Sequence, residues 1–322
     1  MKIEGLSKVY IVEEVLGSGG YGAVARCRIQ ETNEVVALKM TRLTDYSSFF
    51  NEMKKLERLN ELTQCDSYII RLNGSFAFQG FLYQELELLD TDLSEFLENE
   101  GRCLKLAEIR PIAQQILEAL SVLKELGITH ANLKLDNIML VNHKAQPFRV
   151  KLIDFGWACS TGALQQKGII QTLPYRAPEI TLGLPLDEAI DTWSVGIIFT
   201  ALFLKHLLFP YNNSYDNLSI IMKLLGQPDK ELLDKGTLVP KYFTKVKKDI
   251  TFFLDLVKKL LAVDPAKRIL PADALKHPFI TMDRITKREV NASSINQALQ
   301  PDSEEADLML KGSMFHMINF LL

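Results

Sequence analysis

Short runs of alternating hydrophobic and polar residues dominate the first 90 positions of this chain. The runs 10–16, 23–29 and 35–40 are rich in Val, Ile and Ala and are separated by glycine-rich or polar turns. Three such runs in succession predict an antiparallel meander of β-strands. Two further β-like runs lie at 68–72 and 81–88.

A helical period appears between these strands and becomes dominant after Asp92. Apolar residues of 49–62 recur at spacings of three and four, which predicts an amphipathic helix. The segment 190–204 is apolar nearly all round, which predicts a buried helix. Further helices are predicted over 93–100, over 108–126 with Gly127 as a stop signal, over 250–262 and over 271–279.

These patterns predict an α+β fold with a small, mostly β lobe followed by a larger, mostly α lobe. We place an N-terminal extension at 1–9 and one domain at 10–282, whose lobes cover about 10–89 and 90–282. Residues 283–322 include the acidic stretch PDSEEAD and are predicted to form a loosely ordered tail.

The segment LGSGGYGAV carries glycines in the pattern G-x-G-x-x-G between two predicted strands. Glycines allow backbone N–H groups to approach phosphate oxygens closely. In a dinucleotide-binding fold, similar glycines open a helix, so their place between strands favours a loop over ATP phosphates. Taken alone, the motif also fits a plain glycine hairpin. The candidate residues are Leu16, Gly17, Ser18, Gly19, Gly20, Tyr21 and Gly22.

Lys39 lies within the apolar strand VVALKM. A lysine in such a strand is costly unless it is paired, although a surface lysine is the simpler alternative in isolation. Glu52 follows 13 residues later on the predicted helix and can supply the pair. This arrangement resembles the Lys–Glu ion pair with which protein kinases position ATP phosphates.

Three more motifs follow in the order found in protein kinases. ITHANLKLDN contains His130, Lys134 and Asn137 at the spacing of the catalytic loop H-R-D-x-K-x-x-N, IDFGWA contains Asp154 of D-F-G, and YRAPEI contains A-P-E. The resemblance implies that Asn137 and Asp154 hold magnesium and that Lys134 steadies the γ-phosphate. Five motifs in this order predict the two-lobed protein-kinase fold.

Within that family, the segment from Ile128 to Gly156 resembles the homeodomain-interacting protein kinases. Their catalytic loop has the sequence H-A-D-L-K-P-E-N-I-M-L-V, so Ala131 is typical of them. The similarity covers about residues 10–282. It implies ATP with magnesium and phosphorylation of Ser or Thr in nuclear or cytoplasmic proteins. It also implies that the adenine ring lies among Val24, Ala37, Leu86, Glu87, Leu89 and Met139, although the apolar members also fit an ordinary core.

The chain departs from this family at the positions that serve phosphate transfer. Asn132 occupies the place of the catalytic Asp, and an amide is not a base at physiological pH. Ile169 aligns with the activation-loop Tyr, Leu173 with an Arg, and Pro174 with the first Tyr of a Y-Y pair. All nucleotide- and metal-binding positions keep suitable residues.

Two hypotheses therefore stay open. A general base contributes about 10²–10⁴-fold, and kinases turn over at about 1–100 per second, so its loss leaves about 10⁻⁴ to 1 per second. The chain is either a Ser/Thr kinase with weakened catalysis or an inactive, nucleotide-binding pseudokinase that engages protein partners.

Charge and cysteine spacing bear on nucleic-acid binding, disulfides and metal sites. The formal net charge of −3 argues against binding nucleic acid through bulk electrostatics, and the run KVKK at 245–248 is more typical of a solvated helix face. The four cysteines have no disulfide-framework or zinc spacing. No signal peptide or membrane span is expected, so we expect an intracellular protein of nucleus or cytoplasm whose partners are proteins.

Overall fold

A computed structural model describes residues 1–19, 22–62, 67–209, 212–243, 248–262 and 265–281. The chain divides into two compact units, Met1–Tyr242 and Phe243–Leu322. The predicted tail at 283–322 lies outside the described residues, and so do Gly20 and Tyr21 of the glycine-rich loop.

Six strands of the first unit form one antiparallel sheet in the order β1-β2-β3-β4-β6-β5. The register of β2 with β3 and of β3 with β4 confirms the predicted meander. The segment before residue 10 adds β1 to the edge of this sheet. The strands are β1 Lys2–Glu4, β2 Val9–Gly19, β3 Gly22–Ile29, β4 Val35–Arg42, β5 Leu72–Phe78 and β6 Phe81–Glu87.

The strand predicted at 68–72 is wrong, because β5 begins only at Leu72. Ile69 instead forms an isolated bridge with Leu152, and the N–H of Ile70 donates to the carbonyl of Leu152 at 3.0 Å. The apolar run therefore marks burial of this connection rather than a ladder of strand hydrogen bonds.

Helix α1, Tyr46–Leu62, packs on the sheet and begins slightly before its predicted start. Its buried face carries Phe49, Leu56 and Leu59, together with the charged residue Glu52. The helical period that buries the three apolar residues thus also turns the carboxylate of Glu52 toward the sheet.

Helices dominate the rest of the first unit, which confirms the α+β organisation. Asp92 caps α2 by accepting from the N–H groups of Ser94 and Glu95 at 2.9 Å. Gly127 follows α3 with φ +64, the conformation that favours glycine after a helix. The helices are α2 Leu93–Glu100, α3 Leu106–Glu125, α4 Pro178–Leu182, α5 Ala189–Leu204, α6 Ser214–Leu225, α7 Lys230–Lys235 and α8 Val239–Tyr242.

Two small antiparallel ribbons lie between α3 and α4. Strand β7, Ile128–Thr129, pairs with β10, Cys159–Ser160, and β8, Ile138–Asn142, pairs with β9, Gln146–Leu152. The catalytic-loop segment connects β7 to β8, and the D-F-G segment connects β9 to β10. The ribbons therefore bring these two motifs side by side. Four 3₁₀ turns complete the unit at Leu43–Asp45, Leu135–Asn137, Thr161–Lys167 and Leu173–Tyr175.

The largest hydrophobic core of the first unit joins the sheet to the helices. It includes Ala37 and Leu86 from the sheet, Ile112 and Ile116 from α3, and Ile198 from α5. Helix α5 is largely buried, as predicted, but its buried residues form one broad face, and Thr192 and Gly196 on the opposite face are exposed.

The described part of the second unit comprises α9 Lys248–Leu260, a 3₁₀ turn Pro265–Lys267, α10 Pro271–Ala274 and α11 Pro278–Thr281. The single helix predicted over 271–279 is wrong. Pro278 disfavours a helical backbone at His277, so the segment breaks into two short helices. Across all the described ranges, every helix is too short or too polar to cross a bilayer.

Candidate active site

The glycine-rich loop lies at the turn between β2 and β3. Gly19 pairs with Gly22, and Ser18 pairs with Ala23 one step further back. Gly22 has φ +143, and a Cβ there would lie 1.8 Å from the carbonyl oxygen of Met40, so only glycine fits. Gly17 and Gly19 face open space, where their backbone is free to approach a ligand.

Five residues predicted to contact adenine meet in one hydrophobic cluster. Ala37 of β4 lies opposite Leu86 of β6 in the sheet register. Leu16 does not join the cluster and is 48% exposed at the approach to the glycine-rich loop. This arrangement fits the predicted adenine pocket, and it also fits an ordinary hydrophobic core. The five residues are Val24, Ala37, Leu86, Leu89 and Met139.

The expected ion pair between Lys39 and Glu52 is present. Lys39 Nζ lies 2.8 Å from Glu52 Oε1 and 3.4 Å from Asp154 Oδ1. Burial alone would lower the pKa of Lys39, but the charges of Glu52 and Asp154 outweigh it and raise that pKa. Burial alone would raise the pKa of Asp154, but the positive charges around it, chiefly that of Lys39, lower that pKa. Three motifs distant in sequence thus form one charged cluster.

A carboxylate from α5 holds the start of the catalytic loop. Asp191 accepts hydrogen bonds from the N–H of His130 at 2.6 Å and the N–H of Ala131 at 2.9 Å. Burial raises the pKa of Asp191, although the charge of His130 and the two N–H groups act against the rise. The ring of His130 contacts Phe155 and bonds the carbonyl of Ile153 at 2.9 Å. The loop and the D-F-G segment are therefore fixed to each other.

Asn132 and Asn137 are connected through the backbone of this loop. Asn137 Nδ2 donates to the carbonyl of Asn132 at 2.8 Å. The carbonyl of Asn137 accepts from the N–H of Ile153 at 3.0 Å, which places Asn137 beside Asp154. Lys134 Nζ lies 3.5 Å from Asp136 Oδ1 in a partly exposed pair.

The donor set around Asn137 and Asp154 suits magnesium. Since Nδ2 of Asn137 is engaged, its Oδ1 is the atom left to act as a ligand. An amide oxygen and a carboxylate are hard oxygen ligands, and magnesium takes few protein ligands when phosphates complete its shell. The described residues contain no cluster of three or more His, Cys, Asp or Glu that would hold a metal by itself.

The segment predicted to contact adenine is anchored by an ion pair that sequence reasoning missed. Lys151 of β9 lies 2.6 Å from Glu87 Oε1, and the same oxygen accepts from the N–H of Arg71 at 2.7 Å. Glu87 was predicted only for its backbone. Its partly buried side chain pairs with the buried Lys151 and so links β6 to β9.

Thr172 is the second residue that sequence reasoning missed. Its Oγ1 donates to Oδ1 of Asn132 at 3.0 Å. The backbone before it reverses at Gln171, with φ +63, whose carbonyl accepts from Arg176 NH2 at 2.9 Å. The signal available in sequence was a hydroxyl residue five positions before the Ala of A-P-E.

The buried side chain of Gln171 also holds the end of the activation segment through hydrogen bonds. Its Oε1 accepts from the N–H of Ala177 and its Nε2 donates to Ser194 Oγ of α5, at 2.9 and 3.0 Å. Ile169, which aligns with the family's Tyr, is 67% exposed and lies just before this anchored stretch. Leu173 and Pro174 begin the 3₁₀ turn that follows.

The family profile described as protein kinase domain matches residues 10–280 of the chain. This chain belongs to the protein kinase family. The kinase domain carries the segments LGSGGYGAV, VVALKM, ITHANLKLDN, IDFGWA and YRAPEI in the order that the motif analysis expects of that family.

Curated relatives of this kinase domain are homeodomain-interacting protein kinases. Homeodomain-interacting protein kinase 2 of Mesocricetus auratus is 34% identical over 340 residues, which cover 87% of this chain and 29% of that protein. Homeodomain-interacting protein kinase 4 of Homo sapiens is 32% identical, covering 88% of this chain and 57% of the relative. The chain thus spans less than a third of the length of the first and little over half of the second.

Proposed function

We propose that this kinase domain binds ATP with magnesium and transfers the γ-phosphate to Ser or Thr hydroxyls of proteins, at a rate reduced by Asn132. The observation that carries the proposal is the cluster of Lys39, Glu52 and Asp154, with Lys39 Nζ within 3.4 Å of both carboxylates. This pairing is the one that an ATP-positioning lysine requires.

Each predicted residue receives a role in this proposal. Lys39 binds the α- and β-phosphates, Lys134 binds the γ-phosphate, and Asn137 and Asp154 hold magnesium, which neutralises phosphate charge. Backbone groups of 87–89 meet the edge of adenine. The ring lies among the five apolar residues of the cluster described above, beneath the loop 16–22.

Asn132 limits the rate because its amide cannot take the proton of the acceptor hydroxyl. The loss of a base costs about 10²–10⁴-fold, while positioning and charge neutralisation supply most of the acceleration in phosphoryl transfer. Those groups are retained, so we expect a turnover of about 10⁻⁴ to 1 per second rather than none.

A second candidate function is that of a pseudokinase, a nucleotide-binding protein that engages partners without transfer. The contact that favours it is the hydrogen bond from Thr172 Oγ1 to Asn132 Oδ1, because it occupies the atom that would receive a substrate hydroxyl. The partners in either case are proteins. The names of the relatives suggest, but do not define, their class.

A phosphotransfer assay separates the two functions. Wild type, Asn132→Asp and Lys39→Met are incubated with magnesium, radiolabelled ATP and basic protein substrates. The slow kinase predicts incorporation by wild type above the Lys39→Met control and a gain of about 10²–10⁴-fold in Asn132→Asp. Incorporation by wild type no greater than that of Lys39→Met would reject the kinase and leave the pseudokinase.

A further inference from the structure

The substrate end of the active site presents hydrogen-bond donors where kinases present an acceptor. We define the acceptor position as the space beside the side chain of Asn132, where a substrate hydroxyl lies in a kinase. Oδ1 of Asn132 is engaged by Thr172 Oγ1 at 3.0 Å. Nδ2 of Asn132 finds no acceptor among the residues that the structure describes, so the amide offers N–H groups to a ligand.

Asn132 is held by contacts to its backbone and to its side chain. On the backbone side, Asn137 Nδ2 donates to the main-chain carbonyl of Asn132 at 2.8 Å. On the other, Thr172 follows Gln171, whose carbonyl is held by Arg176 and whose side chain bonds Ala177 and Ser194. These contacts hold Thr172 beside Asn132. Because Thr172 Oγ1 donates to Oδ1, the N–H groups of the amide point away from Thr172.

The charge at this position differs from that of a kinase with an Asp. A carboxylate at 132 would offset the positive charge of Lys134 two residues later, whereas the amide does not. Asp136 lies 3.5 Å from Lys134, but its side chain is half exposed, so solvent weakens that pair. When ADP rather than ATP is bound, no γ-phosphate neutralises Lys134, so the acceptor position combines amide donors with a cation whose charge is little compensated.

We infer that the acceptor position binds an anionic side chain of a protein, phosphate or carboxylate, in preference to a Ser or Thr hydroxyl. Donors beside a cation form charge-assisted hydrogen bonds with an anion, and these are stronger than bonds to a neutral group. The inference rests on the proposed function, because the nucleotide site defines where the acceptor lies. It makes Asn132 a specificity-determining residue that favours binding of a phosphorylated or acidic protein segment.

Binding of degenerate peptide pools to the full chain tests this preference. Four pools share randomised flanks and differ only in a central Ser, phosphoserine, Glu or Gln. ADP and magnesium are present, so that the nucleotide site is filled and no transfer occurs. Fluorescence anisotropy is expected to show the phosphoserine and Glu pools binding about tenfold or more tightly than the Ser and Gln pools, because a fixed charge discriminates strongly in a partly desolvated site.

Matched variants assign the effect to Asn132. Asn132→Asp restores a carboxylate and is expected to abolish the preference, since like charges repel. Asn99→Asp makes the same change on the exposed face of α2, away from the site, and is expected to keep it. Thr172→Val releases Oδ1 of Asn132 and is expected to reduce the preference by improving binding of the Ser pool.

Several results would overturn the inference. These are equal affinities for the four pools, undetectable binding of the phosphoserine pool, or an unchanged preference in Asn132→Asp. Nucleotide binding is measured on the same protein preparations without ADP, by the rise in melting temperature with ATP and magnesium. If that rise is present while the pools bind equally, only this inference fails; if it is absent, the proposed function fails first.

Discussion

Lys39 shows how one side chain connects burial to function. Its strand is apolar, so its ammonium is stable there only because Glu52 and Asp154 lie within 3.4 Å. The same pairs hold the ammonium in a defined position, as a lysine proposed to bind ATP phosphates requires.

Replacing Lys39 with Met should lower nucleotide affinity by about 10–100-fold, the effect of losing hydrogen bonds between charged groups. The rise in melting temperature with ATP and magnesium reports the loss. Lys8→Met is the matched control, since it removes an ammonium 2.9 Å from the buried Glu85 on the same sheet. It should destabilise the domain yet keep the nucleotide-induced rise. A full rise in Lys39→Met would contradict the proposed role.

Gln84 is a second unusual residue of the sheet. It is fully buried in β6, opposite Lys39, and its two polar atoms have no hydrogen-bond partner among the described residues. An unpaired buried amide costs about 1–3 kcal/mol in mutational data. Nothing in the geometry of the nucleotide site requires this amide.

Gln84→Met should therefore raise the free energy of unfolding by about 1–3 kcal/mol, because Met removes the unpaired groups at similar volume. Urea denaturation measures the change. Gln115→Met provides the comparison: Gln115 bonds the backbone of Pro111, Phe148 and Val150, so its loss should destabilise. Destabilisation by both substitutions would show that Gln84 is satisfied after all.

At the scale of single residues, the sequence correctly predicted a pair where a buried charge requires an opposite charge. The pairing of Lys39 with Glu52 followed from the expense of a buried lysine and from the helical phase of 49–62. The contact of Thr172 with Asn132 did not follow, because it depends on a backbone reversal at Gln171, a residue type that carries no signal for positive φ.

At the scale of elements, the activation segment is held by contacts within the protein. Arg176 donates to the carbonyls of Ile170 and Gln171 at 3.0 and 2.9 Å, and the side chain of Gln171 joins the segment to α5. These contacts act at the place where the family has an activation-loop Tyr and this chain has Ile169. We therefore expect the segment to take this conformation without a phosphate.

Phosphatase treatment should accordingly leave nucleotide affinity and any phosphotransfer unchanged. Arg176→Lys, in contrast, should reduce phosphotransfer because it disorders the activation segment. Lysine lacks the planar fork that bonds two carbonyls at once. Limited proteolysis between α3 and α4 reports the disorder. Arg110→Lys on the exposed surface of α3 serves as a control. A loss of transfer after phosphatase treatment would mean that phosphorylation does order the segment.

Element boundaries show where pattern and structure diverge. The periods of α1, α2 and α5 were strong enough to predict them within a few residues. The apolar run at 68–72 failed because burial against Leu152 produces the same composition as a strand. The helix at 271–279 failed because Pro278 outweighs the helical pattern around it.

At the scale of the whole molecule, the first unit brings together segments more than 100 residues apart. Lys39 of the sheet lies 3.4 Å from Asp154, which follows β9, and Asn137 immediately precedes β8, the partner strand of β9. Motif order predicted from sequence that these segments belong to one protein kinase domain. The orientation of the Asn132 amide could not be predicted, since it depends on three-dimensional contacts with Thr172.

The proposed function requires a complete nucleotide and metal site beside a neutral residue at position 132. Isothermal titration calorimetry of ATP into the full chain, with and without magnesium, tests this most directly. We expect saturable heat with one nucleotide per chain, strengthened by magnesium in wild type and not in Asp154→Asn. The absence of binding heat with magnesium present would contradict the account.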